Sequence, residues 1–186
     1  MSIRQSDFYL LPNLLSLSRV ISIPIVIGLL YYEMNIGALI TFLLVGVSDY
    51  VDGWVARRYQ SESKLGILLD PLADKLLITS AFIMLIPPGR VPAWMVALII
   101  SREMAVTGLR AIATNAGVVI SASALGKYKT VFQIVSLVGL ILHYEFYGID
   151  FHAVGVVLLY LAFALTIWSG IDYFVNFFRK YSLSDD

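Results

Sequence analysis

The stretch "SDYVDGWVARR", Ser48 to Arg58, and the stretch "GILLDPLADK", Gly66 to Lys75, hold four aspartates: Asp49, Asp52, Asp70 and Asp74. The sequence on either side of them is almost wholly apolar. The chain has 186 residues, of which 59% are hydrophobic and 14% charged, and its mean hydropathy is +0.84. An ordinary soluble domain is about half apolar. The length suits one domain, 1–186. The formal net charge is zero, so no general attraction to nucleic acid is implied. With no cysteine, thiolate catalysis and thiolate metal sites are excluded. Residues 1–12 include Arg4 and Asp7 and read as a juxtamembrane segment, with no cleaved leader expected.

A membrane-spanning helix needs about 20 mostly apolar residues. Six segments qualify: Leu14–Tyr32, Met34–Arg57, Gly66–Pro87, Pro92–Ala113, Leu125–His143 and Ala153–Phe178. Between them, "PPGRVP" (Pro87 to Pro92) and "EFYGIDFH" (Glu145 to His152) carry turn-forming residues. Residues 182–186 form a polar tail. The expected fold is an all-α integral membrane protein of six transmembrane helices. With six spans both termini share one side. That side receives Arg4, Arg57, Arg58, Lys64, Lys127, Lys129, Arg179 and Lys180, and the other only Arg90. The positive-inside rule makes the first side cytoplasmic.

A helix rises about 1.5 Å per residue, which sets depths. Counted from Met34, Asp49 lies about 22 Å and Asp52 about 27 Å in. Counted back from Pro87, Asp74 lies about 20 Å and Asp70 about 25 Å in. The hydrocarbon core is about 30 Å thick. All four carboxylates therefore fall in one layer, in a polar cavity just inside the cytoplasmic face.

Spacings of three (Asp49, Asp52) and four (Asp70, Asp74) put each pair on one helix face. Four bare carboxylates in low dielectric repel one another. Hard divalent cations remove that repulsion, and carboxylate oxygens suit Mg²⁺ or Mn²⁺. Four aspartates can bridge two such ions for an in-line phosphoryl displacement. Gly53 bares the helix beside Asp52, Ala56 keeps the next turn small, and Arg57 offers a donor fork to a diphosphate. Gly66 allows close contact before the third span, and Pro71 is tolerable in a first helical turn, where its missing N–H costs little. Intramembrane aspartates also serve ion passage or helix pairing.

The pattern Asp49-x2-Asp52-Gly53-x2-Ala56-Arg57-x8-Gly66-x3-Asp70-x3-Asp74 resembles the signature of the CDP-alcohol phosphotransferase family. "PNLLSLSR" (Pro12 to Arg19), "SREMAVTGLR" (Ser101 to Arg110) and "LGKYKT" (Leu125 to Thr130) resemble its bacterial glycerol-phosphate branch. The resemblance implies transfer of a phosphatidyl group from CDP-diacylglycerol to sn-glycerol 3-phosphate, giving phosphatidylglycerol phosphate and CMP. It implies that Asp49, Asp52 and Asp70 are chiefly metal ligands. Asp74 adds the role of general base. Gly53, Ala56 and Arg57 would contact CDP, with Asn13 and Arg19 as further nucleotide or phosphate contacts. A homodimer in the bacterial cytoplasmic membrane, bathed in its lipids, is implied as well.

A phosphate-bearing acceptor needs cations. Arg102 lies about 15 Å and Arg110 about 27 Å into the fourth span, about 80° apart around the helix, so both can border one cavity. An arginine at such depth is a functional candidate, and Glu103 is placed to orient Arg102. Lys127 and Lys129 open the fifth span about 200° apart, so a helix there points only one of them inward. The other can snorkel to lipid phosphates.

Other features read plainly. His143 and His152 flank the outer loop, and Trp54 and Trp94 look like interfacial anchors. "SASALGKYKT" fails as a phosphate-binding loop, because Ser121 and Tyr128 stand where Gly and Ser or Thr belong. Asp172 is expected to pair with Arg179 or Lys180. Two rival readings remain: a transferase using inositol phosphate, phosphatidylglycerol or serine, and a divalent-cation transporter. A transporter site belongs near the midplane, and the aspartate layer is off-centre.

Overall fold

The computed structural model describes residues 11–59, 64–115, 124–146 and 148–182, with side chains described in 20–48, 72–114, 126–145 and 148–179. In chain order the elements are α1 (Leu11–Tyr31), α2 (Asn35–Tyr59), α3 (Lys64–Met84), α4 (Ala93–Asn115), α5 (Ala124–Leu142), β1 (Glu145–Phe146), β2 (Ile149–Asp150) and α6 (Phe151–Ser182). The six helices coincide with the six apolar segments. The chain divides into two compact units, 1–88 and 89–186.

In the first unit α1 packs against both α2 and α3. The turn from α1 to α2 closes by hydrogen bonds, not by sequence preference. The Met34 N–H donates to the Leu29 carbonyl at 2.8 Å and the Glu33 N–H to the Leu30 carbonyl at 3.1 Å. Glu33 takes the left-handed position, φ 55°, that usually falls to glycine at such a helix end. The buried face carries Ile23, Val26 and Leu30 on α1, Ala38 and Phe42 on α2, and Ala73, Leu77, Ala81 and Leu85 in and just beyond α3. These recur at three- and four-residue spacings, the period of a helix face. Pro71 lies well inside α3, which begins at Lys64, so the first-turn expectation is corrected. At that eighth position of the helix the proline offers no N–H to the carbonyl four residues back.

In the second unit α5 and α6 pack antiparallel and α4 and α6 parallel. Ser136 Oγ donates to the Gly155 carbonyl at 2.8 Å. Trp94 meets Phe163 edge-on, with ring centroids 5.5 Å apart. The α5–α6 crossing is very tight. A Cβ on Gly139 would lie 2.6 Å from the Phe151 carbonyl oxygen and 2.9 Å from the Gly155 Cα. Such small-residue contacts let helix backbones approach in lipid, where apolar surface alone gives no drive to associate.

The helical expectation is amended by one small hairpin. β1 and β2 pair antiparallel, Glu145 opposite Asp150 and Phe146 opposite Ile149. Gly148, at φ 75°, makes the turn. The Asp150 carboxylate then accepts the Ala153 N–H at 3.0 Å, which caps the start of α6.

The far end of α5 shows what Arg90 does. The His143 N–H donates to the Gly139 carbonyl at 3.1 Å, with His143 at φ 50°. That leaves late carbonyls of α5 in need of donors. Arg90 is buried, and its Nη1 donates to the Leu140 and Ile141 carbonyls at 3.3 and 3.2 Å. The cation also sits at the negative end of the helix dipole. Arg90→Ala should destabilise the protein by about 2 kcal/mol, seen as a lower melting temperature in detergent. An unchanged melting temperature would refute the capping role.

Among the described residues one helix, α6, is long and apolar enough to cross a membrane, over Phe151–Arg179. Large apolar side chains are exposed along the other helices too, among them Ile25, Ile40, Leu44, Met104 and Val131. A soluble monomer rarely exposes so much apolar surface. These features point to membrane association.

Candidate active site

The aspartate motif rests on α2 and α3 of the first unit. α2 carries Asp49, Asp52, Gly53, Ala56 and Arg57, and α3 carries Gly66, Asp70 and Asp74. Both segments are helical through the motif, so the three- and four-residue spacings do place each pair on one face. Asp74 is half-buried, between the fully buried Ala73 and Leu77 one turn on. The side chains of Asp49, Asp52, Gly53, Ala56, Arg57, Gly66 and Asp70 lie outside the described residues, as do those of Asn13 and Arg19 on α1. As a donor set, four carboxylates with no sulfur or imidazole fit a hard divalent ion.

The second unit gathers the cations. On α4, Arg102 donates from Nη1 to Glu103 Oε1 at 3.0 Å and from Nη2 to Ser169 Oγ on α6 at 2.9 Å. Lys129 of α5 donates to the same Glu103 Oε1. One carboxylate oxygen thus accepts from two cations and, through Lys129, links α4 to α5. Arg110 lies two turns further along α4. Its guanidinium stands over the Tyr173 ring of α6, 5.8 Å from the centroid, within cation–π range. Arg102 and Arg110 therefore both face α6, as their angular spacing allowed.

The structure separates the two lysines that sequence left open. Lys129 is buried and Lys127 is exposed. Lys129, Gln133 and Ser136 recur at i, i+4 and i+7 on α5, and all three are buried. Their counterparts on α6 are Thr166, Ser169 and Tyr173, likewise buried. Gln133 Nε2 donates to Thr166 Oγ1 at 3.3 Å across the interface. Thr166 thus meets α5, while Ser169 and Tyr173 meet Arg102 and Arg110 of α4. Sequence reading passed over Ser169 and Tyr173 because hydroxyls are unremarkable singly.

Other expectations resolve nearby. Asp172 Oδ1 accepts from Asn176 Nδ2 at 3.1 Å, a partner one turn along its own helix. His143 and His152 meet edge-on, 4.5 Å between centroids.

The motif on α2 and α3 has its counterpart in known proteins. Residues 9–168 match the family model described as CDP-alcohol phosphatidyltransferase. The chain belongs to the CDP-alcohol phosphatidyltransferase family. The match takes in the whole aspartate motif, the cations of α4 and α5, and α6 through Trp168. Among relatives, the CDP-diacylglycerol–glycerol-3-phosphate 3-phosphatidyltransferase of Bacillus subtilis is 38% identical over 182 residues, covering 88% of this chain and 93% of that protein. The Rickettsia typhi protein of the same name is 39% identical over 169 residues, covering 88% of this chain and 94% of that one. A Mycobacterium tuberculosis protein named probable phosphatidylglycerophosphate synthase is 35% identical over 175 residues, covering 91% and 82%. As a CDP-alcohol phosphatidyltransferase the chain is an enzyme.

Proposed function

We propose that this enzyme transfers the phosphatidyl group of CDP-diacylglycerol to sn-glycerol 3-phosphate, giving phosphatidylglycerol phosphate and CMP. The observation that carries this reading is the complete aspartate motif in a chain whose near-full-length relatives bear that activity in their names. The buried polar cluster of Arg102, Glu103 and Lys129 supports an acceptor that carries phosphate.

In the reaction we propose, the acceptor hydroxyl attacks the phosphorus that bears the diacylglycerol. Asp74 takes the hydroxyl proton. The bond from that phosphorus to the oxygen bridging to CMP breaks, and CMP leaves with the electron pair. Two Mg²⁺ or Mn²⁺ ions held by Asp49, Asp52, Asp70 and Asp74 would offset the diphosphate charge and stabilise the departing CMP. Gly53, Ala56, Arg57 and Gly66 would receive the CDP group, helped by Asn13 and Arg19. Arg102, Arg110 and Lys129 would bind the acceptor phosphate. We assign that role to Lys129 over Lys127, because Lys127 is exposed.

We further propose six spans in the bacterial cytoplasmic membrane, with both termini and the active site cytoplasmic. The positive-inside count supports this orientation. A homodimer completes the reading. The donor's acyl tails can then stay in lipid while its polar linkage reaches the aspartate layer.

The test is direct. Purified protein, given CDP-diacylglycerol and Mg²⁺ or Mn²⁺, should release CMP with sn-glycerol 3-phosphate. Release should be absent or far slower with serine, inositol phosphate or phosphatidylglycerol. Turnover with one of these and none with glycerol 3-phosphate would overturn the acceptor.

A further inference from the structure

We infer that Glu103 is a positioning residue for the acceptor phosphate, fixing Arg102 and Lys129 as a rigid pair through one shared carboxylate oxygen. The inference rests on the proposed reading that these cations bind that phosphate.

Two cations held together away from water repel each other. Glu103 Oε1 accepts from both Arg102 Nη1 and Lys129 Nζ, and so holds them side by side. The group is withdrawn from solvent: the Glu103 side chain is 13% exposed and that of Lys129 8%. Two cations and one carboxylate leave one net positive charge, enough to draw an anion.

Arg102 is held from a second direction. Its Nη2 donates to Ser169 Oγ, and that hydroxyl donates in turn to the Leu165 carbonyl at 2.6 Å. Beside it, Gly170 lets the arginine lie flat on α6. A Cβ there would come within 3.0 Å of Arg102 Cγ and 3.1 Å of its Nε. With both terminal nitrogens engaged, Nε is buried and has no hydrogen-bond partner. A buried donor left without an acceptor is costly unless a ligand completes it. The Nε–H is therefore the donor that Glu103 and Ser169 leave for a phosphate oxygen.

A carboxylate beside an anion site weakens binding by charge alone. Its benefit must then lie in geometry, and that makes the sign of a substitution informative. If Glu103 acted only through its charge, Glu103→Gln and Glu103→Ala would both tighten acceptor binding. If it positions, Glu103→Ala frees both cations and loosens binding. Glu103→Gln keeps an acceptor oxygen for them and should preserve it.

The experiment is steady-state CMP release from the purified enzyme, varying each substrate in turn. Glu103→Ala should raise KM for glycerol 3-phosphate on the order of tenfold. KM for CDP-diacylglycerol should stay within about twofold, since that substrate is not what the pair holds. Glu103→Gln should stay within about threefold of the unaltered enzyme for both. A fall in acceptor KM for both variants overturns the proposal. So does a shift in both substrates' KM that follows a lowered melting temperature, since that marks a merely structural role. Arg102→Ala serves as the reference. If it raises acceptor KM and Glu103→Ala does not, positioning by Glu103 fails alone. If Arg102→Ala leaves acceptor KM unchanged, the phosphate-binding reading fails and takes the proposal with it.

Discussion

Asp74→Asn should lower turnover by about a thousandfold while leaving much of the CDP-diacylglycerol binding in place. The amide matches the carboxylate in size, so the half-buried site between Ala73 and Leu77 stays filled. In the proposed mechanism what goes is the base. General-base catalysis contributes about 10²–10⁴ in rate, and the charge that Asp74 offers to a metal is lost as well. On that reading the three other carboxylates of the motif would still hold a divalent ion, and through it the diphosphate. The check pairs CMP release with direct measurement of nucleotide binding. A variant with near-normal turnover would remove Asp74 from its role as base. A variant that neither turns over nor binds nucleotide would recast it as a metal ligand first.

Gly139→Val should be the most damaging apolar substitution in the second unit. At Gly139 even a single carbon would stand 2.6 Å from the Phe151 carbonyl oxygen, which is backbone and has no rotamer to change. Gly155 mirrors it, with a Cβ placed 2.8 Å from the Leu140 nitrogen. The helices must move apart, and with them the Ser136–Gly155 hydrogen bond. Overpacking of this kind costs about 3 kcal/mol. For a chain of this length that is a fall of about 10 °C in melting temperature. Gly108→Ala supplies the contrast. Nothing lies within 4 Å of a Cβ there, and alanine favours helix over glycine by about 1 kcal/mol. Thermal unfolding in detergent separates the two. If Gly139→Val melts like Gly108→Ala, the α5–α6 crossing is not as tight as described.

The helices were readable because each is a long apolar run punctuated by Pro, Gly or charge, and the six runs coincide with α1–α6. The hairpin was not. Glu145–Phe146 and Ile149–Asp150 are too short for an alternating pattern, and only Gly148 marked the turn. Arg90 looked like a stray charge on the outer side, because its value depends on carbonyls some fifty positions away. Glu33 and His143 hold left-handed backbone that their side chains do not advertise. Pro71 stands at the eighth position of α3, past the first turn.

Sequence by itself determined the six helical segments, the aspartate motif and, through it, the family. Those are local properties. Apolar run length sets the helices, and helical period sets which carboxylates share a face. The choice of Lys129 over Lys127 and the joint grip of Glu103 and Ser169 on Arg102 came only from tertiary structure. So did the placing of Arg110 on Tyr173. The reason is physical. A spacing of two or eight residues fixes the angle between side chains on one helix. It does not say which neighbouring helix lies at that angle, and only packing decides where a cation finds its partner.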